Sequence, residues 1–349
     1  NIVVSEQGSI IARHPGALGA GGAGREVQVG GGSAFLLEYG TNIEGVDVRA
    51  TNTLQTSATV LRNEGTTHST WLGNVILDVA DGYGTSEFQD YIITARNNGT
   101  LTVGGNIYTD NNANLTDSDS FSDPPRVSTS IGETYTLNLK GQFRDIATGN
   151  LGTDPSNVAI TSIYRTGDSA TRLDANHSLR FYMGGHDEGN VNVFQQWDAT
   201  GRIDMRQGYF RVQYDPSGFT GANDMGFYTD GARSLLLAND YYTRPVLGYD
   251  GGSTTNAYHG HLMLTQADQV FNAPYLYAYN DNRNGTLTIG GENESGTVYF
   301  GSRDNSVNFS LQYANQTTER DVRFLQVRGG SMVFNGRLDD ENSTVQSFN

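Results

Sequence analysis

The sequence predicts an all-β protein built from elongated, repetitive antiparallel or intertwined β modules, and three observations carry that expectation. The first is a repeat. Gly-Thr-Leu-Thr-Val-Gly-Gly at Gly99–Gly105 returns as Gly-Thr-Leu-Thr-Ile-Gly-Gly at Gly285–Gly291, each copy preceded by Asn. The second is composition: 44 Gly, 19 Tyr and 15 Phe against 7 Pro in 349 residues supply turn formers and strand-compatible aromatics, while long runs of Ala, Leu, Glu and Lys are missing. The third is period-2 alternation. Phe210, Val212 and Tyr214 alternate with Arg211 and Gln213, and Val307, Phe309, Leu311 and Tyr313 alternate with Asn308, Ser310 and Gln312, as half-buried strands require.

Taken in order, the elements begin after a glycine-rich stretch over 16–32. Ser33–Tyr39 and Val46–Ala50 read as strands, and Trp71–Val79 and Asp90–Ala95 continue the pattern up to the first heptapeptide. In that heptapeptide Thr100 and Thr102 alternate with Leu101 and Val103, and the glycine pair provides the positive φ or the close backbone approach that a corner needs. Residues 110–125 differ, being rich in Asn, Asp and Ser, with a Pro-Pro pair and no periodicity. This divides the chain into an N-terminal β segment over 1–109, a polar linker or long loop over 110–125, and repeated β modules over 126–349. Thr134–Phe143 and Val158–Arg165 read as strands of the last part. Turn clusters at Gly184–Asn190 and Asn280–Gly285 interrupt the later strands at the short intervals of meanders, sandwiches or intertwined trimers.

One-sided strands must bury their apolar face against something. A second sheet of the same chain serves in a sandwich, and symmetry copies serve in a fibre. Hydrophobic residues make up 36% of the chain and no dense apolar segment stands out, which favours completion of the core by homotrimerisation over a monomeric sandwich or propeller.

The unit Asn-Gly-Thr-Leu-Thr-Val-Gly-Gly-Asn-Ile and the stretch Leu173–Phe181 resemble the shaft and globular segments of tailed-bacteriophage long tail fibres. The likeness runs in patches between Phe35 and Leu338, and trimeric viral fibres and bacterial adhesins share such patterns. It implies a virion tail fibre, extracellular when mature. Implied partners are the chain's own copies in a homotrimer, neighbouring fibre or baseplate proteins, and a host surface glycan or outer-membrane protein.

Charge and residue usage exclude other classes. A net charge of −16 with Lys140 as the sole lysine leaves no basic patch for phosphates, so no nucleic-acid partner is expected. The absence of cysteine removes disulfides and thiolate metal sites. No apolar run approaches the roughly 18 residues that span a bilayer, so no membrane insertion is expected. No charged-then-apolar leader opens the chain, and Asn1 in place of Met fits a processed product or a segment of a longer protein.

Three constellations and one group of aromatics are candidates for chemistry. His259-Gly260-His261 puts two imidazoles on one side of a strand, so parallel copies around a threefold axis would gather them into an octahedral transition-metal site. The pattern is similar to the axial iron-binding motifs of phage fibre tips, although it occurs once here and as a series there; the alternative is a pair of surface histidines. Asp187 with Glu188, Glu292 with Glu294, and Asp339-Asp340-Glu341 are carboxylate sets that would serve glycoside hydrolysis only at roughly 5 to 10 Å separation in a cleft, and their Gly- or Asn-rich settings read as turns. Asp110-Asn111-Asn112 and Asp281-Asn282 offer oxygen ligands without a calcium-loop motif. Tyr275, Tyr277 and Tyr279 would line one face of one strand. With Tyr241, Tyr242, Trp71 and Trp197 they are candidates to stack on sugar rings of a host glycan, or to pack a sheet face. The Asn98 and Asn284 sequons follow from Asn- and Thr-rich turns and signal glycosylation only in a secretory setting.

The expectation is a structural, non-enzymatic virion fibre subunit that extends toward the host surface and helps adsorb to it, with no required cofactor. Two alternatives remain: a trimeric tailspike-type β-helix that degrades polysaccharide, and a bacterial surface adhesin or filament subunit. The β-helix requires parallel coils at regular spacing, and the two heptapeptides stand 186 residues apart, Gly99 to Gly285, with no short constant period.

Overall fold

The computed structural model describes residues 1–5, 7–51, 57–78, 90–110, 126–129, 134–146, 180–183, 189–195, 197–198, 203–205, 208–213, 246–247, 259–271, 275–279, 286–300, 309–314 and 321–340. Among them the regular structure is all strand, with no helix. The chain divides into two compact units, Asn1–Phe181 with Asp198–Gly201, and Tyr182–Trp197 with Arg202–Asn349.

In the first unit one circuit of chain shows the rule. Val75–Asp78 lies in sheet A, Asp90–Ala95 in sheet B and Thr100–Val103 in sheet C, and Ile107–Asp110 then returns to sheet A as the parallel neighbour of Val75–Asp78. Successive circuits stack, so each sheet grows by one parallel strand per coil and the unit is a parallel β-solenoid. Side chains in register form columns. Val27, Val48, Val75 and Ile107 succeed one another inside sheet A, and Ile43, Trp71, Val103 and Leu139 inside sheet C, all essentially fully buried. Burying each such side chain contributes about 1.5–3 kcal/mol. Burial alternates along the strands, as in Asp47–Thr51 and Thr136–Leu139, because the other face of each strand looks outward.

The second unit repeats the plan. His259–Leu264 (sheet F) leads to Val270–Phe271 (sheet D), then Tyr275–Tyr279 (sheet E), and Thr286–Gly291 returns to sheet F beside His259–Leu264. Each heptapeptide therefore occupies the same place in its circuit. Each also has a histidine on the preceding strand in register with its first threonine, His68 with Thr100 and His259 with Thr286.

The corner between sheets C and A explains the glycines. Gly73, Gly105 and Gly141 lie on successive coils, and a Cβ on Gly105 or Gly141 would sit well inside van der Waals contact of the preceding glycine's carbonyl oxygen. Neither heptapeptide glycine in this corner, Gly104 or Gly105, has positive φ, so close approach rather than left-handed backbone is what they provide. A side-chain ladder runs beside them. The Asn74 amide N–H donates to Asp47 Oδ1 at 2.7 Å, that of Asn106 to Asn74 Oδ1 at 3.1 Å, and that of Gln142 to Asn106 Oδ1 at 2.9 Å. These bonds satisfy backbone donors where the sheet ladder breaks. Asn63, fully buried, satisfies backbone acceptors at the corner between sheets B and C, donating from Nδ2 to the Thr67 and Gly65 carbonyls and accepting from Ser69 Oγ.

These findings correct the expected architecture. The strands pair in parallel, where antiparallel or intertwined pairing was expected: neighbouring rungs of the corner ladder are 27, 32 and 36 residues apart, so hydrogen-bonded strands are joined by whole coils and not by tight turns. Those unequal lengths also hide the coil from a search for a constant period. Trp71–Val79 and Thr134–Phe143, each expected as one strand, are each two strands in different sheets, His68–Trp71 with Val75–Asp78 and Thr136–Leu139 with Phe143–Ile146, because the chain bends at Gly73 and Gly141. The cores of both units are filled by the chain's own side chains, so these columns do not need symmetry copies to be buried. Residues 111–125 and 158–165 lie outside the described residues; Asp110 ends a strand of sheet A, and Arg126–Ser128 pairs with Asp90–Ala95 in sheet B.

Glu26, on the outward face of sheet A, ties two coils by accepting from Arg49 Nε at 2.8 Å and Gln28 Nε2 at 2.6 Å. Burial pushes its pKa up, but these hydrogen bonds and the Arg49 charge outweigh that and hold it below the ordinary carboxylate value. A depressed folded pKa gives stability that is present above the unfolded value, about 4.3, and is lost as pH falls through the folded one. Glu26→Gln should therefore melt below the parent at pH 7, and the gap should close on acidification toward pH 3; thermal melts of both proteins across that range check it.

Candidate ligand-facing surfaces

The outer face of sheet F carries a cluster of functional side chains. Tyr209 and His261 are in register on adjacent strands, and their rings stack with centroids 4.2 Å apart and planes 12° from parallel. Strand spacing of about 4.8 Å sets that distance. Arg211, two residues along from Tyr209 and so on the same face, places its guanidinium carbon 4.3 Å from the tyrosine centroid. Its Nε donates to Glu292 Oε2 at 2.7 Å, and Nη1 donates to Asn190 Oδ1. Gln213 donates to Asn192 Oδ1 at 2.8 Å. The result is a row of planar groups on the sheet face, locked by hydrogen bonds across several coils.

The sequence candidates distribute as follows. His259 and His261 lie on one strand of sheet F, in register with Thr286 and Thr288. His261 is half-buried against Tyr209. Among the described residues no group of three metal-binding side chains gathers within one chain. Tyr275, Tyr277 and Tyr279 form a strand of sheet E, in register with Ser310, Gln312 and Ala314, so the structure puts them in a different sheet from the histidines. Tyr241 and Tyr242 lie outside the described residues, as do Asp187, Glu188, Glu341, Asn111, Asn112, Asp281 and Asn282. Trp71, a sugar-stacking candidate, is instead a core residue, fully buried and edge-on to Phe35 at 5.5 Å. Glu292 and Glu294 are each held in an ion pair, Glu292 with Arg211 and Glu294 with Arg328 at 2.6 Å.

The sequence reading missed the pairing of Tyr209 with His261, which are distant in the chain and meet only through coil register. It also missed Tyr39. At the corner between sheets B and C, Tyr39 has φ 58°, the left-handed region, and is 73% exposed. Its signal was local: Tyr-Gly directly after an apolar strand. No family model, characterised protein or solved structure matches this chain. Its class is therefore defined by geometry, a parallel β-solenoid whose outer faces carry ordered polar and aromatic rows.

Proposed function

We propose that this chain is a structural, non-enzymatic subunit of a surface fibre, of the tail-fibre kind, that trimerises and helps a particle adsorb to a host surface glycan or outer-membrane protein. The observation that supports this reading is the division of labour in each coil. Apolar columns and polar corner ladders fix the backbone, and the outward face is left with planar and hydrogen-bonding groups such as Tyr209, Arg211 and Gln213. A solenoid of this kind is a rigid scaffold on which outward residues vary without disturbing the core. A threefold axis along the outer face of sheet F would bring His259 and His261 of the copies together, and a transition metal there would draw its ligands from more than one chain. Native mass spectrometry with elemental analysis tests this: the expected species is a trimer, and a stable folded monomer overturns it.

One observation favours a second reading, a tailspike-type enzyme that degrades polysaccharide: the parallel coils such an enzyme requires are present. Release of reducing ends from a polysaccharide, abolished by Glu292→Gln, would establish it in place of the first.

A further inference from the structure

We propose that the corner Arg13–Glu38–Tyr39 is a saccharide-contact site for a neutral pyranose glycan; the proposal rests on the host-adsorption reading above and names one place where contact is made.

Tyr39 and Gly40 are both left-handed, with φ 58° and 70°. Two coils further on, the corresponding corner uses Asn97 and Asn98, with φ 53° and 62°, the residue type whose short polar side chain best tolerates that conformation. A bulky aromatic there is strained, and strain retained at an exposed position points to a role outside packing. Packing does not account for it, since Tyr39 is 73% exposed, more than any other large apolar or aromatic side chain among the described residues.

The corner is rigid. The Glu38 amide donates to the Ala12 carbonyl at 3.0 Å, the Thr41 amide donates to the Glu38 carbonyl at 3.2 Å, and the buried Thr41 hydroxyl donates to that same carbonyl. The Cα–Cβ direction of Tyr39 is thus set by the backbone, which lowers the ordering cost of binding.

The rim supplies polar groups. Arg13 Nε donates to Glu38 Oε2 at 2.8 Å, and the guanidinium carbon lies 5.9 Å from the Tyr39 centroid. Arg13 is 60% exposed and its guanidinium lies over one face of the Tyr39 ring, so that face is shared with the cation, the opposite face is the one left for a ligand, and the Glu38 carboxylate bonded to Arg13 lies next to the pair. An aromatic face flanked by both donors and acceptors fits a pyranose, whose C–H face stacks while vicinal hydroxyls both donate and accept. The Arg13 charge is matched by Glu38 and the chain carries −16, which selects against an acidic sugar.

The test is a printed array of neutral and acidic oligosaccharides probed with the full chain, with Tyr39→Asn and Arg13→Ala beside the parent. The parent should bind neutral oligosaccharides. Tyr39→Asn should lose binding by about tenfold or more while its melting temperature is unchanged or higher, because Asn relieves the left-handed strain, and Arg13→Ala should weaken binding. Binding confined to acidic sugars, no binding to any sugar, or unaltered binding by Tyr39→Asn overturns the site. Oligomeric state is scored separately. A trimer without Tyr39-dependent sugar binding removes this site and leaves the fibre reading standing, whereas a stable monomer that binds neutral sugar through Tyr39 does the reverse.

Discussion

Gly105→Ala should destabilise the first unit by about 3–5 kcal/mol, enough to abolish its cooperative unfolding transition at temperatures where the parent is native. Gly105 is the middle member of the stacked corner Gly73–Gly105–Gly141, and the new methyl group would collide with the Gly73 backbone, which has no room to yield because the strands on either side of the corner are held in register. Moving Gly105 also breaks the ladder from Asn74 through Asn106 to Gln142. The second heptapeptide provides an internal comparison. A Cβ on Gly290 would meet the Leu325 carbonyl, again backbone, whereas a Cβ on Gly291 would meet first the Gln326 side-chain oxygen, which is able to swing aside. Gly290→Ala should therefore be as damaging to the second unit as Gly105→Ala is to the first. Gly291→Ala should cost less, about the value of the Gln326 to Asn293 hydrogen bond, 1 kcal/mol. Denaturant melts of the three variants decide the order, and equal losses would refute the backbone-collision account.

Trp71→Ala should cost about 3–5 kcal/mol, the range for truncating a large buried aromatic. Trp71 is fully buried in the column between Ile43 and Val103, packs edge-on against Phe35, and donates its indole N–H to the Asn74 carbonyl at 3.4 Å. The cavity would open where sheet C, sheet B and the glycine corner meet, so collapse is opposed by three sets of fixed backbone. Trp71→Phe, which keeps most of the volume, should recover more than half of the loss. A Trp71→Ala variant that melts within about 1 kcal/mol of the parent would show that this buried column does not hold the first unit together.

Strand type and outward faces were legible in the sequence because a side-chain period of two is local. Phe210 and Val212 are buried and Arg211 and Gln213 are half-buried, as their alternation predicted, and the strand Asp90–Ala95 has the predicted bounds. The candidate surface was legible only in part. His261 was singled out with His259 for metal, while its stacked neighbour Tyr209 was not, because the register that joins them skips a long connecting segment. Tyr39 was read as the end of a strand, and its left-handed backbone is a property of the corner rather than of the residue.

By itself the sequence determined that the chain makes strands, that the alternating strands have one apolar face, and that the first heptapeptide ends in a corner, since propensity, alternation and the lack of a Cβ act within a few residues; the glycines of the second copy, Gly290 and Gly291, instead continue their strand. Whether those strands pair in parallel, which copies of a column meet, and whether the apolar faces close within one chain were decided only by tertiary structure. An alternating strand looks the same in either pairing sense, and a corner that bends into the next sheet uses the same glycines as one that reverses the chain. Coils of 27, 32 and 36 residues leave no period to read, yet the stacked glycine carbonyls and the Asp47, Asn74, Asn106 and Gln142 ladder bring each circuit back to the same register.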